Sequence, residues 1–417
     1  MKVAALWGQV FNMKNSSLCV LPFINLSTRP NGQPRICSEG NHKFMPPVVN
    51  LNETSLNEFW NSKFLQQFRN GMIKDIPHPY CEICTHIENN GGISKRNSVN
   101  NQYLERYQHI IEFAKNNNGA VPDTPMQWEF RLSNKCNLAC LTCFPTNSSL
   151  IESQHLKNFD LLSKEDKEIV SYSSRQKNKA DFIEQIWEHI EHIDRIELHG
   201  GEPFYDENCL NILERISKEF PNNNIELLVH TNMTFMNQRI INILNSFKNV
   251  NFQMSIDGFG HENDFIRWPS KWKNIEKNLE IANNELITIN KMVTVTVSAY
   301  NCLSLDVLLK WIVEKYNFDV HWFPAIFPKR TNLSLVPLEQ RKHQVEKLEN
   351  LKPLCNNMTS KNLDQIIPYL LKDTILDSKT TDSFVDYCNL MDGIRKQNTL
   401  ETFPHLEPIF NRYSKVK

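Results

Sequence analysis

Cys136-Asn-Leu-Ala-Cys140-Leu-Thr-Cys143 packs three thiols into eight residues, directly after the alternating stretch Trp128-Glu-Phe-Arg-Leu-Ser133. A loop this tight points three sulfurs at one centre, and thiolates are the preferred ligands of iron–sulfur clusters and of zinc. The count matters. A structural zinc site closes with four ligands, whereas a cluster held by three cysteines leaves one iron open to bind a substrate. The spacing alone also fits a zinc knuckle, so the decision falls to the residues around it.

Bulk properties narrow the setting. A chain of 417 residues holds one large domain with one or two modules. Hydrophobic content of 40% and charged content of 22% are those of a globular protein. A formal net charge of −1 disfavours nucleic acid as a partner. No apolar run reaches the roughly 18 residues that would suggest a membrane span, so no membrane association is expected. Met1-Lys-Val-Ala-Ala-Leu-Trp-Gly8 is soon interrupted by Asn12, Lys14 and Asn15 and lacks a signal-peptide pattern. Eleven cysteines in a chain this long read as metal ligands in a reducing compartment rather than a disulfide scaffold. The expected location is cytoplasmic.

From residue 126 to 330 strand-like and helix-like segments alternate. Short apolar, often β-branched strands are predicted at 127–133, 193–199, 225–231, 250–256, 292–298 and 319–324. Amphipathic helices are predicted between them: Ala180–His192, Cys209–Phe220, Asn237–Phe247, Trp272–Asn283 and Leu305–Tyr316. This alternation implies an α/β fold with a parallel sheet, and six units fit an open, partial (β/α)6 TIM-like barrel better than a closed eightfold one. The expected domains are a metal module at 1–100, a helical linker at 101–125, the barrel at 126–330 and a helical C-terminal region at 331–417. The cysteine loop then lies at the barrel's C-terminal mouth, where parallel α/β folds place their chemistry. A polar excursion at 145–179 reads equally as a solvated loop or a substrate lid.

The second strand ends in Leu198-His199-Gly200-Gly201-Glu202-Pro203. Two glycines allow close backbone approach to a ligand, and the carboxylate can accept hydrogen bonds from an ammonium group. Together, the three-cysteine loop after strand one and this turn after strand two resemble the radical S-adenosylmethionine (SAM) superfamily. The resemblance implies a partial barrel, a 4Fe–4S cluster on Cys136, Cys140 and Cys143, and SAM bound at the open iron. It implies that an electron from the cluster cleaves SAM to a 5′-deoxyadenosyl radical. Gly200, Gly201, Glu202 and Pro203 would then hold the SAM amino group. Asn232, in His230-Thr-Asn232, and Ser255 and Asp257, in Ser255-Ile-Asp-Gly258, suit ribose hydroxyls. Ser255 matches a serine lying near SAM in relatives with an extra cluster. Arg267 is a candidate partner for the SAM carboxylate, or else a surface ion pair. Val297 and Ser298 are candidates for packing on adenine. The family's aromatic before the last cysteine is Thr142 here, and Phe144 is the candidate replacement.

Four further cysteines precede the barrel. Cys19 and Cys37 flank a stretch with an Asn31-Gly32 turn that predicts a hairpin, and Tyr80-Cys81-Glu-Ile-Cys84 is a chelating pair. Four such thiolates close either a zinc or an iron–sulfur site. The order Cys19-x2-Pro22-Phe23, hairpin, Cys37, Glu58-Phe-Trp-Asn-Ser62, Phe68-Arg69 and Cys81-x2-Cys84 resembles a SPASM or twitch auxiliary-cluster segment, here N-terminal to the barrel. That implies an auxiliary 4Fe–4S cluster. Gly91 and Gly92 permit a turn beyond the pair, and Ser94, Lys95 and Arg96 either offer donors to an anionic group or form a linker into a helix at 101–116. Cys209, Cys302, Cys355 and Cys388 lack chelating spacing and read as buried small residues.

The leading functional expectation is a radical SAM oxidoreductase that abstracts hydrogen from a peptide or protein side chain. The same chemistry on a sugar or amino-alcohol is the alternative. A flavodoxin or ferredoxin would be the reductant. A non-catalytic iron–sulfur or zinc protein explains the cysteines but not the Gly-Gly-Glu-Pro turn. No general acid or base is identifiable.

Overall fold

The computed structural model describes residues 16–41, 44–45, 50–89, 93–122, 124–174, 182–221, 223–325, 327–374 and 376–414. Met1–Gly8, the Gly91-Gly92 turn, residues 175–179 of the polar excursion and the first two residues of the expected 180–192 helix lie outside them. The described residues fall into two compact units, one drawn from Met1–Ser133 and Lys177–Leu198, the other from Asn134–Gln176 and His199–Lys417. Among the described residues no helix is long and apolar enough to cross a membrane.

The first unit contains β1 (Asn25–Thr28), β2 (Pro34–Arg35), β3 (Gln127–Phe130) and β4 (Arg195–Leu198). β1 and β2 form the predicted hairpin, with Ser27 opposite Arg35 and Gly32 at φ 82° in its turn. The approach to the hairpin is a short helical turn, Leu21–Ile24, rather than more strand. β1 also runs parallel to β3, Leu26 beside Trp128, and β3 parallel to β4, Trp128 beside Ile196. The hairpin is thus continuous with parallel sheet. Helix Lys63–Ile73 begins at Ser62, whose hydroxyl accepts from the Leu65 amide, and buries Leu65, Phe68, Arg69 and Met72. Arg69 is a staple: its Nε donates to the Pro22 carbonyl at 2.7 Å and its guanidinium lies 4.5 Å from the Trp60 ring. Burial pushes its pKa down to about 9. The helix expected at 101–116 is two helices, Lys95–Tyr103 and Gln108–Asn116.

The second unit contains four parallel strands, β5 (Glu226–Thr231), β6 (Asn249–Ser255), β7 (Asn290–Val297) and β8 (Asp319–Pro324). Their two faces differ in chemistry. Leu227, Val229, Val250, Phe252, Met254, Val293, Val295, Val320 and Trp322 are buried on one face. The helices Glu207–Glu219, Gln238–Asn245, Trp272–Glu285 and Leu305–Lys315 bury apolar stripes of their own. The other face carries polar rows in register: His230 beside Gln253, and Ser255 beside Thr294 beside His321. Helix Asn357–Leu371 covers the backbone of β8, where Asn362 donates to the Val320 carbonyl at 2.8 Å and the Val320 amide donates to Thr359 at 3.0 Å. That removes an exposed strand edge.

The polar excursion is helical, with Ser149–Lys157 and Lys164–Ser174. Beside Ile151 and Val170 it buries Gln154, His155, Asp166 and Ser173, so its buried face shows no continuous apolar stripe in the sequence. Arg330 Nη1 lies 2.9 Å from Asp166 Oδ1 with both side chains 5% exposed, and the Arg330 guanidinium sits 3.9 Å from the Tyr387 ring. His155 reaches Tyr387 Oη at 3.4 Å. Tyr387 belongs to the C-terminal helix Ser378–Arg395. Truncating one partner of a buried ion pair strands a charge, so Arg330→Ala should cost roughly 3–5 kcal/mol. Joint replacement by Arg330→Met and Asp166→Leu should cost much less. Urea unfolding of the three proteins checks this, and equal losses in the single and the double variant would remove the pair from the stability of this unit.

Candidate active site and auxiliary metal centre

The cysteine loop is fixed by its backbone. Ala139 and Leu141 donate to the carbonyls of Trp268 and Ile266 at 2.6 and 2.8 Å. The Cys136 amide donates to Ser149 Oγ at 3.2 Å, and Ser148 Oγ donates to the Leu138 carbonyl at 2.6 Å. Arg395, from the C-terminal helix, donates through Nη2 to the Ala139 carbonyl at 2.7 Å and to Gln154 at 2.9 Å. Polar excursion and C-terminal helix therefore both hold the loop. Nothing in the sequence around Arg395 signals this role.

The Gly-Gly-Glu-Pro turn is stitched to the same loop. Gly201 donates to the Asn147 carbonyl at 3.0 Å and Glu202 to the Lys135 carbonyl at 2.8 Å. Gly201 sits at φ 58°, and a Cβ there would lie 2.1 Å from the Lys135 oxygen, so only glycine permits this approach. Glu202 is 1% exposed. It accepts from Thr231 Oγ1 at 2.8 Å, the Phe204 amide at 3.2 Å and the Asn232 amide at 2.5 Å. Burial nevertheless raises its pKa from 4.5 to about 7, against these bonds. A cation delivered here would relieve that penalty. Asn232 turns its side-chain amide to Asn137 Oδ1 at 3.0 Å, with Cys136 Sγ at 3.9 Å.

Burial pushes the Cys136 thiol up, and the neighbouring Cys140 adds to it. Burial also raises Cys140, while the Arg267 charge draws it back. Arg267 pairs with Asp257 at 2.7 Å, and Asp257 also accepts from the Thr296 amide at 2.7 Å. Asp257 is thus engaged as the positioner of Arg267. Arg267 Nε is buried with no hydrogen-bond partner among the described residues, which fits an anionic ligand beside the thiols. Ser255 Oγ lies 3.4 Å from Thr294 Oγ1. Pro203 is buried and Phe144 half-buried, the latter capping the turn Pro145–Asn147. Val297 is on the apolar strand face with Val295, and Ser298 is tied to Asn301 at 2.8 Å through its amide. Sequence reasoning passed over Asn137, Asn301 and His321, which carry no motif of their own.

In the first unit Cys19, Cys37, Cys81 and Cys84 line one cavity with Tyr80, Lys95 and Arg96. All four are free thiols. Burial raises each pKa: Cys19 far up, Cys37 to about 11, Cys81 to about 12, and Cys84 upward, with the other thiols adding at Cys19 and Cys81. Four such groups ionise together only around a compensating cation, which fits a metal centre. Tyr80 clamps hairpin to chelating pair, since its hydroxyl accepts from the Cys37 amide at 3.2 Å and donates to the Cys37 carbonyl at 2.9 Å. Gly40 makes room for it: a Cβ there would fall 1.9 Å from the Tyr80 ring.

Residues 130–299 match the radical SAM superfamily and residues 19–86 match SPASM, an iron–sulfur cluster-binding domain. Among solved structures, native anSMEcpe with bound AdoMet is 15% identical, with TM-score 0.39, over 53% of this chain and 58% of that one. Streptococcus suis SuiB is 14% identical, with TM-score 0.40, over 72% and 62%. SuiB bound to its precursor peptide SuiA is 14% identical, with TM-score 0.39, over 81% and 74%. The chain thus spans less than two thirds of anSMEcpe. No curated protein matches it.

Glu202 also carries a pH signature. Its carboxyl releases a proton near 4.5 when unfolded and near 7 when folded, so stability from this group is complete below pH 4.5 and falls as pH rises towards 7. In metal-free protein, Glu202→Gln should flatten that part of the stability–pH profile, as read by chemical denaturation at stepped pH. An unaltered slope would place the titration elsewhere.

Proposed function

Since the chain belongs to the radical SAM superfamily and carries a SPASM iron–sulfur domain N-terminal to the radical SAM region, with the parallel sheet typical of that family's partial barrel, we propose that it is an enzyme that cleaves SAM reductively and abstracts hydrogen from a peptide or protein side chain. Its cofactors are a 4Fe–4S cluster with SAM, and an auxiliary iron–sulfur cluster. Bound at Cys136, Cys140 and Cys143, the first cluster supplies the electron that splits SAM to methionine and a 5′-deoxyadenosyl radical. The observation that carries the reading is a buried carboxylate, Glu202, stitched to the residue before Cys136, and a buried guanidinium with an unpartnered Nε, Arg267, beside Cys140.

The chain's residues divide the work. Glu202 accepts from the SAM ammonium, and Gly201 lets the turn come close enough to the loop for that contact. Arg267, held by Asp257, takes the carboxylate. Asn232 and Ser255 face the ribose, and Phe144 packs on the adenine. The polar strand face offers Gln253, Thr296 and His321 to the substrate. Burial holds His321 neutral, its pKa lowered, and its ring stacks on Phe323 at 4.4 Å. A face with hydroxyl, amide and imidazole groups suits a neutral polar target such as an amide or hydroxyl side chain. Cys19, Cys37, Cys81 and Cys84 would hold the auxiliary cluster, which would supply an acceptor for the second electron, with a flavodoxin or ferredoxin as reductant.

Anaerobic incubation of reconstituted protein with SAM and dithionite should yield 5′-deoxyadenosine, and its absence would reduce the chain to an iron–sulfur carrier. Glu202→Gln should weaken SAM binding tenfold or more, because a charge-assisted hydrogen bond is worth roughly 1.5–3 kcal/mol. Unchanged affinity in a titration would remove the carboxylate from the SAM site. A Cys81→Ala/Cys84→Ala variant should still cleave SAM but not complete substrate oxidation; stoichiometric zinc at that site in anaerobically purified protein would leave it a structural role only.

A further inference from the structure

The auxiliary cavity is walled by the start of a helix. Helix Lys95–Tyr103 opens at Ser94 with a capping box, the Ser94 hydroxyl accepting from the Asn97 amide at 3.1 Å and Asn97 Oδ1 accepting from the Ser94 amide at 3.1 Å. Its first two residues, Lys95 and Arg96, both line the cavity with the four thiols. Lys95 Nζ donates to Ser38, the residue after Cys37, at 2.5 Å. A helix N-terminus with its dipole and two cations thus converge on the cavity that the four thiols line.

Each cation also has a carboxylate partner. Lys95 lies 3.4 Å from Glu129, and Arg96 grips Glu88 through two bonds, Nε to Oε1 at 3.0 Å and Nη2 to Oε2. A paired charge cancels its partner's field only at equal distance, so the orientation of each pair decides its effect. Lys95 and Arg96 line the cavity, whereas Glu129 and Glu88 do not, and the one carboxylate residue that does, Glu39, is exposed. Both pairs turn their positive end to the thiols. The site is buried, so solvent screens this field little.

We propose that Lys95 and Arg96 are redox-positioning residues: they raise the reduction potential of the auxiliary centre by stabilising its more negative, one-electron-reduced state. This rests on the reading that Cys19, Cys37, Cys81 and Cys84 hold an iron–sulfur cluster. Potentials of such centres are set by net charge, by hydrogen bonds to sulfur and by exposure, and the first favours the reduced form here. It makes the site an acceptor of electrons rather than a passive staple.

The test is potentiometric. Full-length reconstituted protein is poised with dithionite, and the reduced auxiliary centre is followed by electron paramagnetic resonance. The measurement is repeated on a Cys136→Ala/Cys140→Ala/Cys143→Ala background, where only the auxiliary site holds iron. Lys95→Met and Arg96→Met should each move the midpoint to more negative potential, and together by at least tenfold in the reduction equilibrium, about 59 mV for one electron. Lys95→Arg, keeping the charge, should restore it. Glu129→Gln, removing the opposing charge, should move it positive, a shift opposite in sign to any that loosening of the site would explain. Unchanged midpoints in the methionine variants at full iron content would overturn the proposal, as would a negative shift in Glu129→Gln. Wild-type protein with no iron at this site would overturn the reading beneath it instead, and iron counting before any variant is made separates the two.

Discussion

The carboxylate of Glu202 ties together everything at the working end of the second unit. Two of its three acceptor contacts, from Thr231 and Asn232, join the turn after β4 to the end of β5, while its own amide joins that turn to the Lys135 carbonyl at the root of the cysteine loop. One buried group thus sets the spacing between three thiols, a glycine turn and a strand end. The arrangement is costly, since burial lifts the carboxyl's pKa to about 7 despite three donors. A side chain this hard to ionise on its own gains most when a cation arrives. By linkage, the fall in that pKa when a cation binds measures how much more tightly the ionised carboxylate holds the cation than the protonated one does.

Support for the loop comes from far along the chain. Arg395 holds the Ala139 carbonyl and Gln154 while its guanidinium lies 5.2 Å from the Trp268 ring. Trp268 in turn supplies the carbonyl that Ala139 donates to. The peptide between Cys136 and Cys140 is therefore clamped on both its donor and acceptor sides. A ligand loop held this way keeps its sulfurs in place whether or not metal is bound, which is what a site that must bind substrate at an open iron requires.

Much of this was legible in the sequence, and the reasons differ by element. β5, β6, β7 and β8 were visible as short apolar, often β-branched runs, because each buries residues such as Leu227 and Val229, Phe252 and Met254, Val293 and Val295, and Val320 and Trp322. The Asn31-Gly32 hairpin was visible because only a few residue types make that turn. The Cys136–Cys143 loop and the Gly200–Pro203 turn were visible because their chemistry tolerates few alternatives. The helices at 149–157 and 164–174 were hidden because only Ile151 and Val170 are apolar on their buried faces, while Gln154, His155 and Asp166, buried beside them, read as solvent-facing. Lys95 and Arg96 were read equally as donors and as linker, because which way an ion pair points depends on its partners, and Glu88 and Glu129 lie at unrelated distances along the chain.

The two metal sites meet the same physical problem with different means. Clustered thiolates in a buried setting need positive charge, and each unit supplies it from side chains already fixed by carboxylates. Beside Cys140 a single guanidinium does so, locked by Asp257 and keeping Nε unpartnered. One fixed cation with a free donor suits a site that must admit a further anionic ligand. Around Cys37, Cys81 and Cys84 there are two cations, a helix N-terminus and a clamp from Tyr80, and all four sulfurs are committed to one cavity. A centre held by all four thiols would have no open position for substrate, so its charge would act only on the electron it carried. The difference between a centre that binds and one that conducts lies in whether the compensating cation has an unsatisfied donor to offer.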